Sequence, residues 1–575
     1  MSFILHGVGV SDGIAIGRAH LASSAALNIL HYQLPKDQID AELARLHNAF
    51  STVRLELETL KSSTVQGAGP AEFNAFLELH QMILDDPMFS QAALDIVKQA
   101  QCNAEWAITQ QMEVLVARFE EIEDAYLRER KTDVAQIAER VLKVLLGHPG
   151  YTPPPVKQDG SGILVAHDLS PADVMQYKQY QFSAFLTDMG GPTSHTAIVA
   201  RSLNIPSIVA MQHAQQLIRE NDNLIVDGNQ GIVIINPDKY ILAEYRLKQN
   251  QLELEKRKLW RLRFVAAVTR DGTPVDLLAN IELPQEVERA KEHGATGIGL
   301  FRSEFLFLNR DDLPDEEEQF EAYSTVIKGM NGSPVIIRTF DLGADKNLRS
   351  AYRMAPNPAL GLRAIRMSLA EPGMFLAQLR AILRASNLGH TQILIPMLSS
   401  SREVDQTLQM IEFAKQSLRD ENKPFNETIK IGCMVEIPAT ALSLELFMRK
   451  LDFLSIGTND LIQYTLAIDR TDETVAHLFD PLHPAILRLL ARIIQSATKA
   501  GIPVSICGEM AGDAKYTRLL LGMGLRQFSM YPTQLLTVKR EVLDSSLPDI
   551  SRLIQKILKA DEPEKIHDLL QKLNS

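Results

Sequence analysis

Residues 453–460 read Phe-Leu-Ser-Ile-Gly-Thr-Asn-Asp: a short β-forming run, a glycine, then two polar side chains. The same grammar recurs along the second half of the chain. From about Ala266, buried-type strands alternate with helical segments, at Val275–Ile281, Gly297–Phe301, Val335–Phe340, Ile393–Met397, Ile431–Glu436, Phe453–Gly457 and Val504–Cys507. A weaker eighth run lies near Leu362–Ile365. Alternation of β and α over this length predicts a (β/α)8 TIM barrel. Strand after strand ends in a charged or polar residue: Arg302, Arg338, Glu436, Asn459-Asp460 and Cys507-Gly508-Glu509. In a barrel all these ends converge on one mouth, where such folds carry their chemistry.

The residue types at that mouth describe a ligand. Arg302, Arg338, Arg363 and Arg470, with Lys346, can neutralise phosphate and carboxylate oxygens, and the guanidinium fork suits bidentate contact with both. Glu436 and Asp460 are hard oxygen donors of the kind Mg²⁺ takes together with substrate oxygens and water. Asn459 adds an amide donor. The ligand is therefore expected to be small, multiply anionic and metal-bound. Cys507 above it suits a general acid toward a carbanion or enolate carbon. A nucleophilic cysteine is the rival, although no histidine stands beside it in sequence.

A second chemical signal precedes the barrel. Residues 188–201 read Asp-Met-Gly-Gly-Pro-Thr-Ser-His-Thr-Ala-Ile-Val-Ala-Arg. His195 follows a glycine pair at the predicted mouth of a helix, where backbone N–H groups favour anions. Gly190 and Gly191 permit close approach of the chain, and Thr193 and Ser194 can cap the helix or donate to phosphate oxygens. An imidazole so placed can carry a phosphoryl group; a glycine turn with a structural histidine is the plainer alternative.

Short β-runs at residues 1–20 and after Pro153-Pro154-Pro155 frame a stretch of amphipathic helices. The first, Asp37–Leu60, places Ile39, Leu43, Leu46 and Phe50 on one face. The simplest organisation is a multidomain α/β chain. An α/β domain (1–22 and 147–236) carries an inserted helical bundle (23–146), then a charged linker helix (237–262), then the barrel (263–575).

The chain has 575 residues, 45% hydrophobic and 23% charged, with net charge −12. That balance argues against a general nucleic-acid binder. No apolar run is long enough to span a membrane, and the first residues do not read as a secretory signal. Three cysteines in so long a chain predict a reducing, cytoplasmic setting.

Several segments together resemble Enzyme I of the bacterial phosphotransferase system, the phosphoenolpyruvate–protein phosphotransferase family. They are Gly190–Thr196, Leu300–Phe305, Arg338–Asp341, Asn357–Arg363, Val435–Pro438, Gly457–Leu461 and Cys507–Ala511. The resemblance covers essentially the whole chain. It implies a swivelling phosphohistidine domain and places the phosphohistidine on His195. Contacts to phosphoenolpyruvate fall on Arg302, Arg338, Asn459, Asp460 and Arg470, with Arg363 and Lys346 as further site positions. Mg²⁺ ligands fall on Glu436 and Asp460, and the proton donor on Cys507. It further implies that the helical insertion docks the carrier protein HPr and that the barrel forms a homodimer. His80 aligns with a histidine of the docking region; taken alone it reads as a helix-surface histidine. Pro192 departs from relatives that carry arginine there. No further domain precedes the α/β core, which leans the reading toward sugar uptake rather than the nitrogen-regulatory branch. A nucleotide-dependent phosphoenolpyruvate synthase or pyruvate phosphate dikinase is the enzymatic alternative, though no Gly-x-x-x-x-Gly-Lys-Ser/Thr loop is present. A catalytically silent regulatory binder is the non-enzymatic one.

Overall fold

The computed structural model describes residues 2–21, 30–64, 71–120, 131–147, 162–169, 182–191, 197, 200, 205–307, 312–342, 357–470, 472 and 474–575. It divides into two compact units, Met1–Glu255 and Lys256–Ser575.

The first unit contains an open eight-stranded sheet built from two distant parts of the chain. Strands β1 (Phe3–His6), β2 (Val8–Ser11) and β3 (Ile14–Leu21) come from its start. Strands β4 (Gly162–Ala166), β5 (Ala184–Thr187), β6 (Ser207–Val209), β7 (Asn223–Asp227) and β8 (Ile232–Ile235) come from beyond residue 160. Their order is β1-β8-β7-β3-β4-β5-β6-β2. The run β3-β4-β5-β6 is parallel and the outer pairings are antiparallel. The central strands β4 and β5 are buried along their whole length, which explains why they read as unbroken apolar runs.

Helices Ile39–Thr64, Ala71–Asp85, Ser90–Ala100, Ala104–Glu120 and Lys131–Leu145 lie between β3 and β4 in sequence. Leu46, Phe50, Val53 and Leu57 recur at three- and four-residue spacing and are buried in a core with Leu77, Phe89, Ile108 and Val141. His80 corrects an expectation: it is not on the helix surface. It is fully buried between Leu77 and Leu84 on the same helical face, and its Nε2 lies 3.7 Å from Asp133 Oδ1. A buried imidazole needs such a polar neighbour to offset lost hydration. The charged helix Lys239–Arg261 follows β8.

The second unit is a closed barrel of eight parallel strands. They are β9 (Asp276–Ile281), β10 (Ile298–Arg302), β11 (Val335–Arg338), β12 (Thr391–Ile395), β13 (Lys430–Val435), β14 (Phe453–Ile456), β15 (Val504–Ile506) and β16 (Gln527–Met530). The eighth strand is thus Gln527–Met530, not the Leu362–Ile365 run, which turns into the helix Ile365–Ala370. Gln527-Phe528-Ser529-Met530 alternates polar and apolar residues and lacks the continuous apolar run of its neighbours. Closure comes from β16 pairing with β9. Among the described residues no helix is long and apolar enough to cross a membrane.

Candidate active site

The barrel ends do meet. Arg302, Arg338, Arg363, Glu436, Asp460 and Cys507 line one cavity of about 480 Å³, with Asn459 and Arg470 at its wall. Each position follows from local structure. Arg302 and Arg338 are the last residues of β10 and β11. Glu436 follows β13, and Asn459 and Asp460 open the helix Thr458–Leu466 after β14. Cys507 follows β15. Glycine makes this convergence possible at two points. A Cβ on Gly457 would lie 2.9 Å from Glu436 Oε2, and one on Gly508 only 2.0 Å from Thr458 Oγ1. At Gly457 the Glu436 carboxylate would have to move; at Gly508, where the Thr458 backbone N also lies at 2.8 Å, no side chain is tolerable, so glycine lets these strand ends close on one another.

Charge is unusually concentrated and buried here. Arg338 pairs with Glu304, and its Nη1 lies 2.8 Å from Asp341 Oδ2. Arg363 Nη2 lies 3.0 Å from Asp341 Oδ1 and 4.0 Å from Asp460 Oδ2. Burial opposes ionisation of Asp341, but Arg338 and Arg363 outweigh it and hold its carboxyl below the usual range. Burial likewise opposes the charge on Arg338, and Asp341, Glu304 and Glu436 outweigh it. Such pairs persist because each charge is matched; removing one partner would strand the other.

As at Glu304, burial prevails at Glu436. It is 1% exposed, and its Oε1 accepts a hydrogen bond from the Met397 N–H at 2.6 Å. Burial, then Asp341 and Asp460, push its carboxyl well above the usual range despite Arg338 and that amide. Carboxylate oxygens of Asp341, Glu436 and Asp460 lie within 4.8 Å of one another. Crowded, buried carboxylates of this kind fit a divalent cation, whose charge would relieve the conflict and whose preference is for hard oxygen donors.

Cys507 is buried, packed with Leu300, Ile336, Leu394, Met434 and Phe453, and its Sγ contacts Ile456 O at 3.6 Å. Burial pushes its thiol up, only partly offset by Ser455, Arg338 and Arg302. The group is held protonated, as an acid requires and a thiolate nucleophile does not. At the rim, Asn459 and Glu509 exchange two hydrogen bonds of 3.0 Å, and Arg470 Nη1 lies 3.7 Å from Glu509 Oε1.

Two expected residues, His195 and Lys346, lie outside the described residues, as does Pro192. Residues 182–191, before His195, and Ala197 and Ala200, after it, are described. Asp188 accepts hydrogen bonds from the Ala214 and Gln215 N–H groups, Gly190 has φ 96°, and Ala197 and Ala200 are buried. The sequence reading missed Asp341 and Glu304, which line the cavity, and Glu282 and Tyr531, which hold Arg302 beside it. Asp341 and Glu304 stand inside quoted motifs, and their buried pairing with arginine carries no local signal. Glu282, directly after β9, was within reach of the strand-end pattern. Tyr531 follows the strand that periodicity did not reveal.

Family models match in three pieces. "PEP-utilising enzyme, N-terminal" matches residues 6–130, "PEP-utilising enzyme, mobile domain" 158–231, and "PEP-utilising enzyme, PEP-binding domain" 256–547. The phosphoenolpyruvate-protein phosphotransferase of Cupriavidus necator is 54% identical over 584 residues, covering all of both chains. Its namesake from Staphylococcus aureus is 39% identical over 573 residues, covering 99% of each. That of Geobacillus stearothermophilus is 39% identical over 565 residues, covering 98% of this chain and 96% of its own. Full-length similarity at this level, together with the three matched pieces, identifies the chain as a member of the phosphoenolpyruvate-protein phosphotransferase family, enzymes that use phosphoenolpyruvate.

Proposed function

We propose that the chain takes the phosphoryl group of phosphoenolpyruvate onto His195 and passes it to a histidine of the carrier protein HPr, releasing pyruvate. This is the first step of the phosphotransferase sugar uptake system, carried out in the cytoplasm by a homodimer. The carrying observation is the single cavity lined by Arg302, Arg338, Arg363, Glu436, Asp460 and Cys507. Three cationic forks, a carboxylate cluster and a protonated thiol suit a small phosphorylated carboxylate that leaves as an enolate.

The roles follow from chemistry. Arg302 and Arg338, with Asn459, Asp460 and Arg470, orient the substrate; Arg363 and Lys346 add positive charge. Glu436 and Asp460, with Asp341 beside them, would hold Mg²⁺, which when bound neutralises charge on the phosphoryl oxygens. The neutral His195 imidazole attacks phosphorus in line. The bond from phosphorus to the enol oxygen breaks, and its electron pair leaves with pyruvate enolate. Cys507 then gives its Sγ proton to the methylene carbon of the enolate. Catalysis rests mainly on positioning and electrostatic stabilisation.

The modules carry the division of labour. The helical part (23–146) docks HPr, the α/β part (1–22 and 147–236) bears His195, and the barrel (263–575) binds phosphoenolpyruvate and dimerises. The helix within 237–262 allows His195 to visit both sites by a swivel. The test is labelling with radioactive phosphoenolpyruvate: His195→Ala should eliminate it, and persistent labelling would end the assignment. Purified sugar-branch and nitrogen-branch carriers offered in competition decide the branch; preference for the nitrogen carrier would replace HPr in this account.

A further inference from the structure

Arg302 is held in a closed triangle whose other two corners lie outside every motif used above. Its Nη1 donates to Glu282 Oε1 at 2.6 Å and to Tyr531 Oη at 2.7 Å. The Tyr531 hydroxyl in turn donates to Glu282 Oε1 at 3.3 Å. The guanidinium carbon also lies 5.3 Å from the centroid of the Tyr531 ring, within cation–π range. Arg302 ends β10, and Glu282 and Tyr531 directly follow β9 and β16; β9 pairs with both β10 and β16 in the barrel.

A carboxylate beside an anion-binding arginine is unexpected unless it orients that arginine. Glu282 is itself fixed: its N–H donates to Glu286 Oε2 at 2.7 Å, and the Leu283 N–H donates to the same oxygen at 3.1 Å. Tyr531 is anchored at the head of the turn Pro532–Gln534, where its carbonyl accepts from the Gln534 N–H at 3.0 Å. Both contacts fall on one nitrogen of Arg302. The Nη2 and Nε hydrogens, the pair that makes a bidentate contact with phosphate or carboxylate, belong to the other edge of the fork.

We infer that Glu282 and Tyr531 are positioning residues that pin one corner of Arg302 and present its bidentate edge to the phosphorylated substrate. They act through Arg302 and touch no reacting atom. The inference rests on the reading of the barrel cavity as the phosphoenolpyruvate site. Preorganisation of this kind lowers the ordering cost of binding, so its loss should appear in KM more than in kcat.

The experiment is steady-state kinetics of the full chain with phosphoenolpyruvate, Mg²⁺ and HPr. Losing one charge-assisted hydrogen bond predicts that Glu282→Gln raises KM for phosphoenolpyruvate on the order of tenfold. Tyr531→Phe should raise it by about a third to a half of that, with kcat within about twofold in both. Because both residues act through one side chain, the double variant should be less than additive, and neither change should add to Arg302→Lys. Retention of kcat shows that the barrel of each variant is folded, and phosphoryl exchange between His195 and HPr, which bypasses the barrel, should be unchanged. An unsubstituted chain that does not turn over phosphoenolpyruvate overturns both this inference and the reading beneath it. An active chain whose KM is unmoved by either substitution, or whose two effects are fully additive, overturns this inference alone.

Discussion

The two units each contain an eight-stranded sheet, and they are put to opposite uses. The sheet of the first unit is open and mixed, with β1 and β2 at its edges. Only one of its loops, the one after β5, leads to the residue expected to carry a phosphoryl group. The sheet of the second unit is closed and parallel, so every strand delivers its carboxyl end to the same rim. Closure turns a series of separate side chains into one buried charge network. The open sheet instead leads, through the loop after β5, toward the one histidine proposed to travel between partners. Substitutions at the barrel mouth should therefore spread through their neighbours, whereas substitutions in the open sheet should stay local.

The largest effect should come from breaking the barrel network at its centre. Arg338→Met strands Glu304 as a buried carboxyl without its arginine and leaves Asp341 to Arg363 alone. It should cost about 3–5 kcal/mol of stability, read as a lowered unfolding midpoint, and nearly all turnover of phosphoenolpyruvate. A melting temperature matching the parent would contradict the buried pairing. Next is Glu436→Ala. It removes the most desolvated carboxylate of the cation cluster, and turnover should fall on the order of 10³-fold. Full activity in that variant, or in excess chelator, would exclude the cluster as the metal site.

Cys507→Ala should slow turnover about 10²-fold or more while leaving exchange between His195 and HPr intact. Equal loss in both assays would point to a structural role. Because burial raises the thiol, the alkaline arm of kcat assigned to it should lie above the ordinary thiol range of about 8.5. The sign is that activity is retained while the thiol is protonated and falls as pH passes its raised value; an arm below that range would refute the acid. The smallest effect belongs to the open sheet. Gly190→Ala forces a side chain onto φ 96°, at about 1–2 kcal/mol, and should slow labelling modestly without altering phosphoenolpyruvate binding.

The same contrast governs what could be read from the sequence. Strands buried on both faces announce themselves as apolar runs, and polar residues just beyond them mark the mouth; Arg302, Arg338, Glu436, Asp460 and Cys507 were all legible this way. The alternating strand Gln527–Met530 was not, and Tyr531 was lost with it. Asp341 and Glu304 are invisible for a different reason: their importance lies in pairing across strands, which no local pattern encodes. His80 sits in register with Leu77 and Leu84, so helical periodicity already placed it in the core. Its residue type alone suggested the surface.

The central claim is that one imidazole of the first unit is charged by chemistry assembled in the second. Intact-mass spectrometry of the full chain, incubated with phosphoenolpyruvate and Mg²⁺, tests it most directly. The account predicts one added phosphoryl group per chain, acid-labile, mapped to His195, absent in Glu436→Ala and discharged on adding HPr. A phosphoryl group found on another residue, or an unmodified chain under those conditions, would contradict it.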